Sequence, residues 1–204
     1  MFKKLIATAS VLAFSATVYA NVKSITVNPT QSQVTWKADK KLMAGHSGTV
    51  GIKSSDIKME KGLIAKGSTF VLDMTSIAVT DIPVTKEDNA KLLGHLKSDD
   101  FFSVAKNPEA KLTVTSSKQT TPGNLDVTGD LTIKGQTKAI TFPVSLKEEK
   151  GNTMASGKIT IDRTQYGIKY NSENFVKNLV ADRIIKDQFE VGFNLVATTT
   201  AAKK

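Results

Sequence analysis

The chain has 204 residues, a formal charge of +9, 28 Lys and Arg against 19 Asp and Glu, and no Cys. Without Cys there is no disulfide, thiolate metal site or Cys nucleophile, so a hydrophobic core must carry the fold. Arg163 and Arg183 are the only arginines and aromatic residues are scarce; this argues against nucleic acid, whose binders combine Arg with stacking rings, and leaves a solvated surface mildly attracted to anionic headgroups.

The chain starts with Lys3 and Lys4, a short apolar stretch from Leu5 to Phe14, and small residues around Val18-Tyr19-Ala20. This pattern reads as a secretory signal over residues 1–20, cleaved after Ala20. Its apolar run is too short to span a bilayer, and no later stretch is long enough, so no stable membrane insertion is expected. No Cys stands at the junction to take a lipid. The expected mature chain, residues 21–204, is periplasmic or secreted and has the size of one domain.

From residue 25 onward apolar and polar residues alternate with period two, the mark of half-buried strands. The alternation runs through Val34, Trp36 and Ala38, then Val50 and Ile52, then Phe70, Leu72 and Met74, then Leu112 and Val114. It is clearest later: Leu125 to Ile133, Ile140 to Leu146, Ile159 and Ile161, and Phe189 to Ala197. Pro122-Gly123-Asn124, Lys134-Gly135-Gln136 and Lys150-Gly151-Asn152 supply turns between these runs. Two segments break the pattern. Residues 86–97 carry Ala90, Leu92, Leu93 and Leu96 at helical spacing, with Thr85 as expected N-cap. Residues 162–188 read as a long ordered loop with one helical turn. About eight antiparallel strands result, and closing the sheet would remove its edges. Periodicity alone leaves an open sandwich as the alternative.

Chemistry-bearing residues are few. His46 and His95 are the two histidines. Ser47 and Ser98 lie beside them in sequence, but neither stands in a nucleophile elbow. A metal would need both histidines to converge with carboxylates such as Asp99 or Asp100. His46, between Gly45 and Gly48, marks either a strand entrance or a hydrogen-bonded strand end. Phe101 and Phe102, after Gly94 to Asp100, either plug one end of the β-domain or form part of a lid.

Several segments together resemble the YceI-like family of polyisoprenoid-binding, lipocalin-like proteins. They are Trp36 with Lys40 to Val50; Lys91-Leu92; His95 to Phe102 with Asn107-Pro108; Val127 to Lys138; Asp162-Arg163-Thr164; Tyr166-Gly167-Ile168; and Ile184, Lys186 and Asp187. The resemblance covers essentially the whole mature chain. It implies an all-β fold: a single eight-stranded antiparallel lipocalin-like barrel, with the short helix near 86–97 and the long loop near 162–188. It also implies an exported protein that binds an isoprenoid or fatty-chain lipid without catalysis, cofactor or metal.

On that footing the expected lining is Trp36, Val50, Ile52, Phe70, Leu72, Met74, Leu131, Phe142, Val144, Phe189 and Phe193. Lys40, His46, Lys97, Arg163 and Tyr170 are the expected contacts for a polar or phosphate headgroup at the mouth. The partner is then a lipid, with a homodimer open as the oligomeric option. Two rival readings stand beside this one. One is a stress-related accessory protein acting through its Lys-rich surface around a filled core. The other is a hydrolase or metal enzyme that uses His46 or His95.

Overall fold

The computed structural model describes residues 22–149 and 151–201; the expected signal at residues 1–20 lies outside them. The described chain folds as β1 (Lys23–Val27), β2 (Gln33–Lys40), β3 (His46–Glu60), β4 (Leu63–Ile64), β5 (Thr69–Val79), α1 (Glu87–Lys97), β6 (Glu109–Thr121), β7 (Asn124–Ile133), β8 (Gln136–Glu149), β9 (Asn152–Asp162) and β10 (Ile185–Ala201). Two short 3₁₀ turns, Arg163–Tyr166 and Ala181–Arg183, interrupt the loop between β9 and β10.

Every ladder is antiparallel, and the order β10-β2-β3-β5-β6-β7-β8-β9 returns to β10. The sheet is therefore a closed eight-stranded barrel, and the sandwich alternative falls. β1 is not a ninth stave. It pairs with β10 through Val27 and Ala197 and with β3 through Ile25 and Ile57, in the slot that β2 fills further along. An Asx turn separates the two pieces, with the Asn28 side-chain oxygen accepting from the Thr30 backbone N–H at 3.1 Å. β4 is a short addition beside β3.

The turn residues act as their chemistry dictates. Lys134 and Gly135 have φ of 48° and 71°, the pair of positive angles that a two-residue hairpin of right-handed twist requires. The helix forms where its apolar spacing places it, but its start differs from the expected one. Lys86 is the N-cap and makes no side-chain capping bond, so Thr85 is not the cap. Glu87 and Asp88 place negative charge in the first turn, where the helix dipole favours it. Buried Asn89 holds the helix down by donating to the carbonyls of Val79 (3.1 Å) and Ile82 (2.7 Å).

The two ends of the barrel are built differently. At one end β6 meets β7 and β8 meets β9 through tight hairpins, and β1 lies close by. At the other end a five-residue loop joins β2 to β3, and long segments that carry α1 and the 3₁₀ turns join β5 to β6 and β9 to β10. That second end is closed by side chains rather than by sheet. Leu96, Phe101, Val104, Tyr166 and Ile168 are all buried there and join the main core cluster.

Candidate functional site

Inside the barrel the inward-facing side chains do not fill the space. They surround a lumen of about 190 Å³, walled by thirty-one residues of which all but Thr153 are apolar. Phe70, Leu72, Leu112, Phe189, Val191 and Phe193 point inward yet are only partly buried, because they border this space. A cavity with such walls offers water almost no hydrogen-bond partners, so it favours an apolar occupant over solvent.

Two glycines make the lumen wall possible. At Gly48 a Cβ would lie 1.8 Å from the Ala78 carbonyl oxygen and 2.7 Å from the Trp36 ring. Its absence lets the indole cross β3 and donate to that same carbonyl at 3.1 Å. At Gly157 a Cβ would come within 2.5 Å of the Phe193 ring, which instead meets Phe142 edge-on with centroids 6.2 Å apart.

Of the eleven apolar residues expected to line a pocket, ten stand on the lumen wall: Trp36, Val50, Phe70, Leu72, Met74, Leu131, Phe142, Val144, Phe189 and Phe193. Ile52 does not. It packs against the main core and against the small cluster of Ile25, Val27 and Ala197. Just after Ile52, β3 shifts register opposite β5, between Ile52 and Ser54. Beyond it Ile57 and Met59 face inward, out of phase with Val50. Sequence alternation read in one phase misses them. Ile25 and Val27 were missed for another reason, since five residues of β1 give too short a pattern to read. Phe102 closes the lumen at the loop end, where its ring meets that of Phe189 at 6.5 Å.

The five expected headgroup contacts all lie at the loop end, but each is differently engaged. His46 Nδ1 is 2.8 Å from the Asp81 carboxylate, which also accepts from the Ser47 backbone N–H at 2.9 Å. Burial raises the Asp81 pKa, but the Ser47 and His46 contacts outweigh it and hold the carboxyl below its ordinary value. Lys97 donates to the Thr75 carbonyl at 2.8 Å. Lys40 ends β2 and is partly exposed with no acidic partner among the described residues. Tyr170 stacks edge-on to His95 at 4.5 Å, and His95 in turn to Phe101 at 4.9 Å, with His95 Nε2 3.0 Å from Asp100.

Arg163 is not available as a headgroup contact. It is 4% exposed, and its guanidinium donates to the carbonyls of Ile168, Tyr170 and Ile185 (2.9 Å each), to that of Lys186 (3.0 Å), and to Asp187 (3.4 Å). All five donors are spent on holding the loop after β9 against the start of β10. The sequence signal for such a role is weak: an Arg directly after a strand and before a glycine-containing turn.

His46 and His95 each pair with their own acid. Among the described residues no group of three or more His, Cys, Asp or Glu could hold a metal ion. No described helix is long and apolar enough to cross a membrane. At the hairpin end a second cavity of about 370 Å³ shares Ile25, Met59 and Thr153 with the lumen wall, and Lys23, Lys61 and Glu148 flank it.

The model of the YceI-like domain family matches residues 25–197. Curated relatives include a UPF0312 protein of Pseudomonas savastanoi pv. phaseolicola, 43% identical over 81 residues that cover 37% of this chain and 42% of that protein. The match thus spans less than half the length of that relative. Among solved structures, Burkholderia cenocepacia BcnA aligns over 84% of this chain and 99% of its own, with TM-score 0.66 and 20% identity. A polyisoprenoid binding domain from Saccharophagus degradans, described as implicated in plant cell wall breakdown, aligns over 89% of this chain and 100% of its own, with TM-score 0.60 and 17% identity. At such identities these two likenesses speak to the fold.

Proposed function

We propose, from the premise that this chain belongs to the YceI-like domain family, that it is an exported, non-enzymatic protein holding an isoprenoid or other amphiphilic lipid chain in its lumen. The observation that carries this reading is the wall itself: thirty-one residues around one cavity, with Thr153 the sole polar side chain among them. Each CH₂ group withdrawn from water into such a space contributes about 0.8 kcal/mol, so a long chain needs few polar contacts to be held. The name of the Saccharophagus degradans structure points the same way.

In this reading the ten wall residues grip the chain and Lys40, His46, Lys97 and Tyr170 stand near a headgroup at the loop end. Export follows from the signal at residues 1–20, and an intact mass lacking those residues is the expected result for protein recovered from the envelope or medium.

Native mass spectrometry of protein isolated from its own compartment tests the lumen reading. An added mass that matches a long-chain lipid and is released by organic extraction is expected. Refilling the stripped protein with a series of prenols and fatty acids should show affinity rising with chain length up to a limit. Absence of binding across the whole series would sink the proposal.

A further inference from the structure

The large apolar side chains that stand exposed among the described residues all lie at the loop end of the barrel. Apart from Tyr170 they are Leu42 (66% exposed), Met43 (51%), Val84 (85%), Phe175 (50%), Val176 (38%) and Val180 (62%). They sit on three loops: 41–45 between β2 and β3, 80–86 between β5 and α1, and 167–184 before β10. These loops adjoin. Lys41 pairs with Glu173, and its backbone N–H donates to the Ile184 carbonyl at 2.9 Å. The Asp81 contacts to His46 and Ser47 tie the second loop to the foot of the first. Scattered exposed apolar residues are ordinary, but their confinement to one end marks a contact surface.

Charge says what the surface contacts. Lys40, Lys177, Arg183 and Lys186 have no acidic partner within ion-pair distance among the described residues, and Lys169 lies over the Phe175 ring at 4.4 Å. On those two loops and their flanks Glu173 is paired with Lys41, Asp39 with Lys37 and Asp187 with Arg163, which leaves Asp182 as the opposing charge; beside the third loop, Asp81 is held by His46 and Glu87 by Lys91, and Asp88 stands exposed. The apolar tips of loops 41–45 and 167–184, with cations in excess around them, match an anionic lipid surface: the tips enter the headgroup boundary and the lysines meet phosphates. A protein interface would instead concentrate its apolar area in one core depleted of Lys.

We infer that the loop end docks this protein reversibly on anionic bilayers. The inference rests on the exposed loops and stands whether or not the lumen holds lipid. Where it does, docking sets against the membrane the one end of the lumen that is closed by loops and Phe102.

Co-sedimentation of the protein as isolated from the cell with large vesicles tests this. Binding is expected to mixed phosphatidylglycerol and phosphatidylethanolamine vesicles and to be far weaker on phosphatidylcholine alone, falling as salt rises. The triple variant Leu42→Ser, Phe175→Ser, Val180→Ser should lose about tenfold or more of that binding. Lys40→Glu, Lys177→Glu, Arg183→Glu should lose about fivefold per cation removed. Near-ultraviolet circular dichroism from Trp36 should be unchanged in both, since every altered side chain lies outside the core. Wild-type protein that binds neither vesicle, or a Ser variant that binds as well as wild type, would overturn the inference. So would a concentration-dependent dimer abolished by the same Ser substitutions, which would assign the surface to a second copy.

Discussion

Arg163 and Tyr166 sit within one turn of each other and are buried to similar degrees, at 4% and 2% exposure, yet they stand in opposite energetic positions. The Arg163 guanidinium has a partner for each of its N–H groups. Burial lowers its pKa, and Asp187 and Asp162 act against that shift, so the group stays charged and its hydrogen bonds are charge-assisted. Replacing it with Met leaves four carbonyls and a carboxylate to lose their donor at once. A destabilisation of about 3–5 kcal/mol is expected, the cost of breaking a buried ionic network by removing one partner. Arg163→Lys should recover little, since one ammonium cannot reproduce a planar fork. The Tyr166 hydroxyl, by contrast, is buried with no hydrogen-bond partner among the described residues. Tyr166→Phe removes an unsatisfied polar atom and should be neutral or stabilising by up to about 1 kcal/mol. Urea unfolding of both variants in parallel checks the pair, and a costly Tyr166→Phe would show that the hydroxyl is in use.

At the scale of strands, what the sequence discloses depends on how strictly each strand keeps period two. β7 keeps it throughout: Leu125, Val127, Gly129, Leu131 and Ile133 share one buried face, as alternation predicts. β3 and β5 do not. Between Thr49 and Gly51 the partner strand advances from Ala78 to Asp73, so β5 carries extra residues and its inward set passes from Phe70, Leu72 and Met74 to Ile77. Bulges of this kind leave no mark in local composition, which is why Ile57, Met59 and Ile77 were invisible as wall residues while their neighbours were plain. Mouth contacts were less legible still. A charged side chain advertises its charge but not its partners, and Arg163 and Lys97 are bound to backbone carbonyls that no spacing reveals. Gly48 shows how one strand position can decide a local arrangement. A Cβ there would overlap the Ala78 carbonyl and the Trp36 ring, both held by the bond between them. Gly48→Ala should therefore cost about 1–3 kcal/mol, in the range of overpacked cores, and blunt the near-ultraviolet signal of Trp36. Gly94→Ala is the control, because nothing lies within 4 Å of the added atom and helix propensity favours the change.

At the scale of the whole molecule, a closed sheet separates the two duties that a core usually combines. The β-ladders around the barrel, with β10 paired to β9 along most of its length, hold the shape without needing every inward side chain to touch another. The lumen can then stay unfilled, at the expense of the dispersion contacts that a packed interior would supply. An occupant should restore those contacts, so bound chain and folding stability are linked: at a free ligand concentration of 100 times Kd the gain is about 2.7 kcal/mol. The same logic reverses the usual sign of a core enlargement. Val191 lines the lumen between Trp36 on β2 and Ile159 on β9 and is only partly buried. Val191→Phe in a filled core would overpack and lose about 1–3 kcal/mol. Here the added ring has open space before it, so the lipid-free variant should melt at or above the wild-type temperature. The same variant should bind a long-chain fatty acid more weakly and gain less stability from it. Thermal melts of stripped and loaded protein, run for wild type and variant together, separate the cases. A stripped variant that melts well below wild type would mean that the lumen closes up in solution and that the barrel is packed by its own side chains.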